Sequence, residues 1–162
     1  MKRRFFMIPL LALLALTLTA CPYESDKPIT EATEKVDEVL MGQWIDVYDE
    51  GSEYPTVFTI SKETDTRYRI TEEGDAGKYS YMMHSSTIKD NVFMNIKEIG
   101  TDYYMLYKME MVDGLLILHE VTPYIDEDFP TSKSLRSYIK KNMNLSFFYT
   151  DAPSRYVRYE KE

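Results

Sequence analysis

From residue 44 to residue 121 apolar and polar side chains alternate with a period of two, in short runs broken by turn residues. Successive side chains of a strand point to opposite faces, so this pattern is that of strands with two different faces. The breaks carry turn chemistry: Asp49-Glu50-Gly51-Ser52, Glu73-Gly74-Asp75-Ala76-Gly77, Lys89-Asp90-Asn91, Gly100-Thr101-Asp102 and Val112-Asp113-Gly114. Strands are expected over 44–49, 56–61, 66–72, 78–85, 91–98, 103–111 and 115–121. Asp-Gly favours hairpins, and no helical stretch long enough for a crossover separates these runs. A parallel α/β sheet is therefore disfavoured, and an antiparallel barrel or sandwich is expected.

Helical spacing occurs twice. Ile29, Ala32, Val36, Val39 and Leu40 can share one face over 30–41, and Gly42 follows as a C-terminal glycine. Leu135, Ile139 and Met143 recur every four residues over 132–143, after a cap at Thr131 or Ser132. Lys133, Arg136, Lys140 and Lys141 make the opposite face of this late helix basic. Two more strands are expected near 145–150 and 155–160. The fold class is mainly β: a small antiparallel barrel with a short N-terminal helix and one late amphipathic helix.

Residues 1–21 read MKRRFFMIPLLALLALTLTAC. Lys2, Arg3 and Arg4 precede an apolar run from Phe5 to Leu18, the layout of a secretory signal peptide. Leu18-Thr19-Ala20-Cys21 resembles the lipobox of bacterial lipoproteins. The resemblance implies cleavage between Ala20 and Cys21, a diacylglyceryl thioether on Cys21 and acylation of its amine. Each buried methylene contributes roughly 0.8 kcal/mol, so two or three chains anchor stably. Pro22 stands where inner-membrane lipoproteins of enteric type carry Asp, which implies the outer membrane. The expected division is 1–20 signal peptide, 21–29 lipidated cysteine and tether, and 30–162 a single barrel domain.

Composition excludes several functions. The formal charge is −8, and loss of the leader's three basic residues leaves 16 basic against 27 acidic, or −11. Such a chain is a poor ligand for nucleic acid, where phosphates must be neutralised. One cysteine cannot form an internal disulfide. Cys/His zinc sites need three or four convergent ligands, more than this composition offers.

Gly42-Gln43-Trp44, between the expected helix and first strand, resembles the Gly-x-Trp signature that opens lipocalin-like (calycin) barrels. In that family the tryptophan packs across the barrel floor under a basic residue from the last strand. The resemblance makes Arg158, or Arg155, the matching cation. Lipocalins usually complete eight strands before their helix, whereas seven precede Thr131 here and two follow. Either one strand is miscounted or the wiring differs.

The middle strands carry unusual faces. Tyr103, Met105, Tyr107, Met109 and Met111 share one, and Tyr79, Tyr81 and Met83 share another. Val92, Met94 and Ile96 form a third, and Leu115, Ile117, His119 and Val121 a fourth. Alternation alone does not say which face points inward. Tyrosine hydroxyls need partners when buried, so a Tyr/Met-rich interior suits a cavity with a few polar handles. Candidate ligand contacts are Tyr79, Tyr81, Met83, Tyr103, Met105, Tyr107, Met109 and His119.

Catalytic chemistry is sparse. His119 is in register with apolar neighbours and reads first as a buried barrel histidine. Ser85-Ser86 beside His84 lacks the Gly-x-Ser-x-Gly elbow of hydrolases. Asp126, Glu127 and Asp128 lack the spacing of a calcium loop. Methionine sets can hold copper(I), but adaptable packing explains them more economically. No cofactor, metal site or enzyme activity is expected. The leading reading is an anchored envelope lipoprotein binding a small amphiphilic or aromatic molecule. The alternative is a fully packed barrel that serves structure or binds an envelope protein partner.

Overall fold

The computed structural model describes residues 23–125 and 127–160. The leader, the cleavage position at Ala20, Cys21 and Asp126 lie outside the described residues. The strands are β1 (Glu24–Ser25), β2 (Gly42–Asp46), β3 (Val57–Thr64), β4 (Arg67–Gly74), β5 (Gly77–Ile88), β6 (Asn91–Glu98), β7 (Tyr104–Val112), β8 (Leu115–Glu120) and β9 (Ser154–Arg158). One α-helix, α1 (Ser132–Asn142), precedes β9.

From β2 to β8 each strand pairs antiparallel with the next. β9 then inserts between β8 and β2, Leu116 facing Tyr156 and Trp44 facing Arg158, and closes an eight-stranded barrel. Closure leaves this barrel no free edge strands. The wiring question is thus resolved: seven strands precede the helix and one follows. The strand expected over 145–150 is instead a 3-10 turn, Ser146–Phe148, with a single bridge from Tyr149 to Val121. Burying Phe148 beneath α1 takes that segment out of line with the barrel wall.

Connections alternate between the two ends of the barrel. At one end Asp65-Thr66, Lys89-Asp90 and Asp113-Gly114 make tight turns, with Lys89 and Asp113 at φ 53° and 51°. The longer loops and the excursion through α1 lie at the other end.

The helix expected over 30–41 is a correction. That segment runs as an extended strap and turns only at Glu38–Leu40, a 3-10 turn capped by Asp37. Isolated helices of about a dozen residues are marginal, and the β-branched Ile29, Thr30, Thr33, Val36 and Val39 weaken this one further. The barrel offers the strap better partners. Ile29 N–H donates to Asn95 Oδ1 at 2.7 Å, and His84 Nε2 lies 2.8 Å from the Thr30 carbonyl. Glu34 accepts from the backbone and hydroxyl of Thr87, and Val36 N–H reaches Asp65 O.

Two cores result. The inner one fills part of the barrel with Leu40, Trp44, Ile60, Tyr68, Ile70, Met83, Met94, Ile96 and Leu116. The outer one lies between the outward faces of β5, β6 and β7, with Val121 just after β8, and a cover made by the strap and α1. Ile88, Phe93, Leu106 and Val121 meet Ile29 from the strap and Leu135, Ile139 and Met143 from the helix. These helix residues are the stripe expected from sequence, and Thr131 caps the helix in a reciprocal box with Ser134.

Candidate functional site

The tight-turn end of the barrel is plugged. Trp44 is 1% exposed, and its indole N–H donates to Leu40 O at 2.9 Å. The Arg158 guanidinium carbon lies 4.0 Å from the centre of the Trp44 ring system. Its two terminal nitrogens donate to the carbonyls of Met41 and Val39. Gly42 permits this approach. It sits at φ +121°, and a Cβ there would collide with Arg158 Nη1. Gly42, Trp44 and Arg158 thus form one contact set, and of the two cations that the resemblance offered, Arg158 is the one over the indole.

No protein-family model, curated protein or solved structure matches the chain. The architecture itself is an eight-stranded antiparallel barrel consistent with the calycin type.

Above the plug the barrel holds a cavity of about 230 Å³. Trp44 and Leu40 border it at the base, with Ile60, Ile70, Met83, Met94 and Ile96 on the walls. Of the residues expected to meet a ligand, Tyr81, Met83, Met105, Tyr107 and Met109 line it. Tyr79 and Tyr103 do not. They are 41% and 52% exposed, Tyr79 near the β4–β5 turn and Tyr103 just before β7.

His119 does not line the cavity either. The alternation of β8 runs the other way: Leu116, Leu118 and Glu120 face inward. His119 lies outside, its ring centre 5.9 Å from that of Tyr149 and its Nε2 3.4 Å from Glu110 Oε2. β8 misled because both its faces are apolar. Val121 at its end belongs to the outer core while Leu116 belongs to the inner one, so period two leaves no contrast to read.

Sequence reasoning missed Glu72, Glu120, Phe58 and Tyr156, all of which border the cavity. Carboxylates on strands are usually read as solvent-facing. The available signal was register: Glu120 is two residues from Leu118, and Glu72 two from Ile70.

These residues give the cavity a polar end. Glu72 and Glu120 lie at the long-loop ends of β4 and β8 and are partly exposed, whereas Trp44, Met94 and Leu116 are buried. The Tyr81 hydroxyl donates to Glu72 Oε2 at 2.9 Å. Burial, then this bond to Glu72, raises the Tyr81 pKa. Burial and the nearby Glu120, Tyr156 and Tyr81 raise that of Tyr107. Burial chiefly raises Tyr156. All three phenols are therefore neutral donors at pH 7. Burial also lifts the Glu120 carboxyl above the usual carboxylate range.

The other histidine serves structure. His84 faces outward beneath the strap, 6% exposed, and Ser86 and Asn95 complete its polar surroundings. Among the described residues no group of three or more His, Cys, Asp or Glu is placed to hold a metal ion, and no helix is long and apolar enough to cross a membrane.

Proposed function

We propose that this protein is a lipid-anchored envelope lipoprotein whose barrel holds a small, largely apolar molecule without converting it. The cavity carries this reading. Protein interiors are packed to crystal-like density, with few voids larger than a water molecule. A space of about 230 Å³ walled by methionines and aliphatic side chains is an exception to that rule. An apolar cavity of roughly 150 Å³ already takes up benzene, so this one has room for an alkyl chain or an aromatic ring. The same space argues against the fully packed interaction module.

The anchor rests on the leader and on Leu18-Thr19-Ala20-Cys21. Cys21 would carry the acyl chains, and residues 21–29 would tether the domain of 30–162. The absence of Asp after the cysteine favours the outer membrane, facing the periplasm or the cell surface.

Two experiments test the two halves. Native mass spectrometry of protein released gently from bacterial cells should show a retained small molecule. A barrel that stays empty and takes up no apolar probe contradicts the binding role. Labelling with a palmitate analogue should tag the wild type and not Cys21→Ser, and an equal signal from that variant removes the anchor.

A further inference from the structure

The cavity carries no positive charge to match the negative charge at its polar end. Among the described residues that line it, none is Lys, Arg or His, while two are glutamates. The charged groups that bear on the Tyr81, Tyr107 and Tyr156 hydroxyls are Glu72, Glu98, Glu120 and Asp46. Lysines do occur on neighbouring strands, but on the outside. Lys97 pairs with Asp102 and lies over Tyr104, and Lys108 pairs with Glu110 and lies over Tyr149.

We propose that the cavity selects ligands with an apolar body and a protonated amine, the amine lying between Glu72, Glu120 and the tyrosine rings. This rests on the ligand-holding role above and narrows it to a charge class. A fatty acid or other anionic amphiphile would set its carboxylate beside two glutamates with no cation to neutralise it, which is unfavourable in a partly buried site. A neutral apolar molecule would fill the walls but leave Glu120 as it stands. Among the described residues no hydrogen bond or ion pair reaches the Glu120 carboxylate, and burial already disfavours its charged form.

An ammonium answers several features together. It donates to carboxylates through charge-assisted hydrogen bonds. Its charge is attracted to the faces of aromatic rings, which Tyr81, Tyr107, Tyr156 and Phe58 supply around the space. Its apolar tail meets Met83, Met94 and Leu116 toward Trp44. A hard metal cation fits less well, because it takes six or more oxygens in a fixed array, most of the lining is thioether, aliphatic or aromatic, and among the described residues no three His, Cys, Asp or Glu converge on it. The negative net charge of the chain would also draw cationic ligands toward it.

Three probes with one tail decide the matter: octylamine, octanol and octanoate at pH 7, titrated while following Trp44 emission. The indole borders the cavity and is the chain's single tryptophan, so it reports occupancy. One charge-assisted contact is worth enough for octylamine to bind about tenfold tighter than octanol, with octanoate weaker by a similar factor. The double variant Glu72→Gln, Glu120→Gln should bring the three probes within about threefold of one another, with octanol binding preserved as the sign of an intact barrel. Glu110→Gln, which alters an outer-face carboxylate, should leave the order unchanged and so exclude adsorption to the acidic surface. Octanoate binding as tightly as octylamine overturns the proposal. So does an amine preference that survives the double variant or vanishes in Glu110→Gln. If octanol binds and the amine gains nothing, the charge selection fails while the ligand-holding role stands. If none of the three binds, both fail.

Discussion

At Gly42 two constraints meet, one of backbone and one of space. Its φ of +121° is strained for any residue with a side chain, and the Arg158 guanidinium occupies the place of a Cβ. Gly42→Ala should therefore destabilise by about 1–3 kcal/mol in urea titrations. The cost should shrink, without disappearing, when Arg158→Ala has already cleared the space. An equal cost in both backgrounds would mean that the guanidinium and the glycine are independent. His84 carries a second expectation. Burial, assisted by Arg67, lowers its pKa, and the Thr30 carbonyl fixes the proton on Nε2. The unfolded chain then binds a proton more readily than the native one. Stability is full above the ordinary histidine pKa of about 6.5 and falls as the pH drops below it. The loss in urea midpoint between pH 7.5 and 5.5 should be smaller in His84→Gln than in the wild type. A loss of the same size would remove His84 as its source.

At the scale of elements, the strap shows how a local pattern yields to distant partners. Its apolar spacing fits a helix, yet its backbone and side chains are claimed by β4, β5 and β6, far away in sequence. Asn95 is the centre of that attachment. It is fully buried, accepts from Ile29 N–H, and donates to the His84 carbonyl at 3.2 Å and Ser86 Oγ at 2.9 Å. Asn95→Ala leaves Ile29 N–H without its acceptor and removes the amide's bonds to the His84 carbonyl and to Ser86 Oγ, which keeps the Thr30 hydroxyl, at about 1–3 kcal/mol for a group that stays dry. Hydrogen exchange should show faster exchange at Ile29 than in the wild type while the β2–β9 ladder remains protected. Loss of protection across all strands would mean instead that strap and barrel unfold as one unit. α1 behaves oppositely to the strap. Its stripe of Leu135, Ile139 and Met143, with the Thr131–Ser134 box, makes local and tertiary preferences agree.

On the scale of the whole molecule, two cores share one set of strands. β5, β6 and β7 are covered on both faces, by the barrel interior and by the strap with α1, whereas Glu63 on β3 and Arg69 on β4 pair in the open. The outer core joins the strap and α1 to the barrel wall. The inner core, plugged at Trp44, leaves room above it. That division predicts separable effects. Leu116→Phe places extra volume in the cavity from a position that is 5% exposed. It should raise stability by about 0.5–2 kcal/mol, as cavity filling commonly does, and weaken octanol binding. Destabilisation with undiminished binding would show that residue 116 does not border the space that takes the probe. Trp44→Ala removes the plug and should cost about 3–5 kcal/mol, as large core truncations do.

The amino-acid order alone determined the eight strands of the barrel, most of their boundaries and the late helix, and the Gly-x-Trp resemblance set Arg158 or Arg155 beside Trp44. These rest on interactions within a few residues or on a compact motif, so period, turn chemistry and caps are enough to find them. Tertiary structure decided the rest. Whether residues 30–41 coil or stretch depended on Asn95, His84 and Thr87 waiting on the barrel. Which side of β8 faces inward depended on a second core that makes both sides apolar. Glu72 and Glu120 became cavity residues only because closure by β9 turned their strand faces toward a shared interior. Polarity patterns report the contrast between water and core, and that contrast vanishes where a strand is covered twice or where a charge faces a cavity.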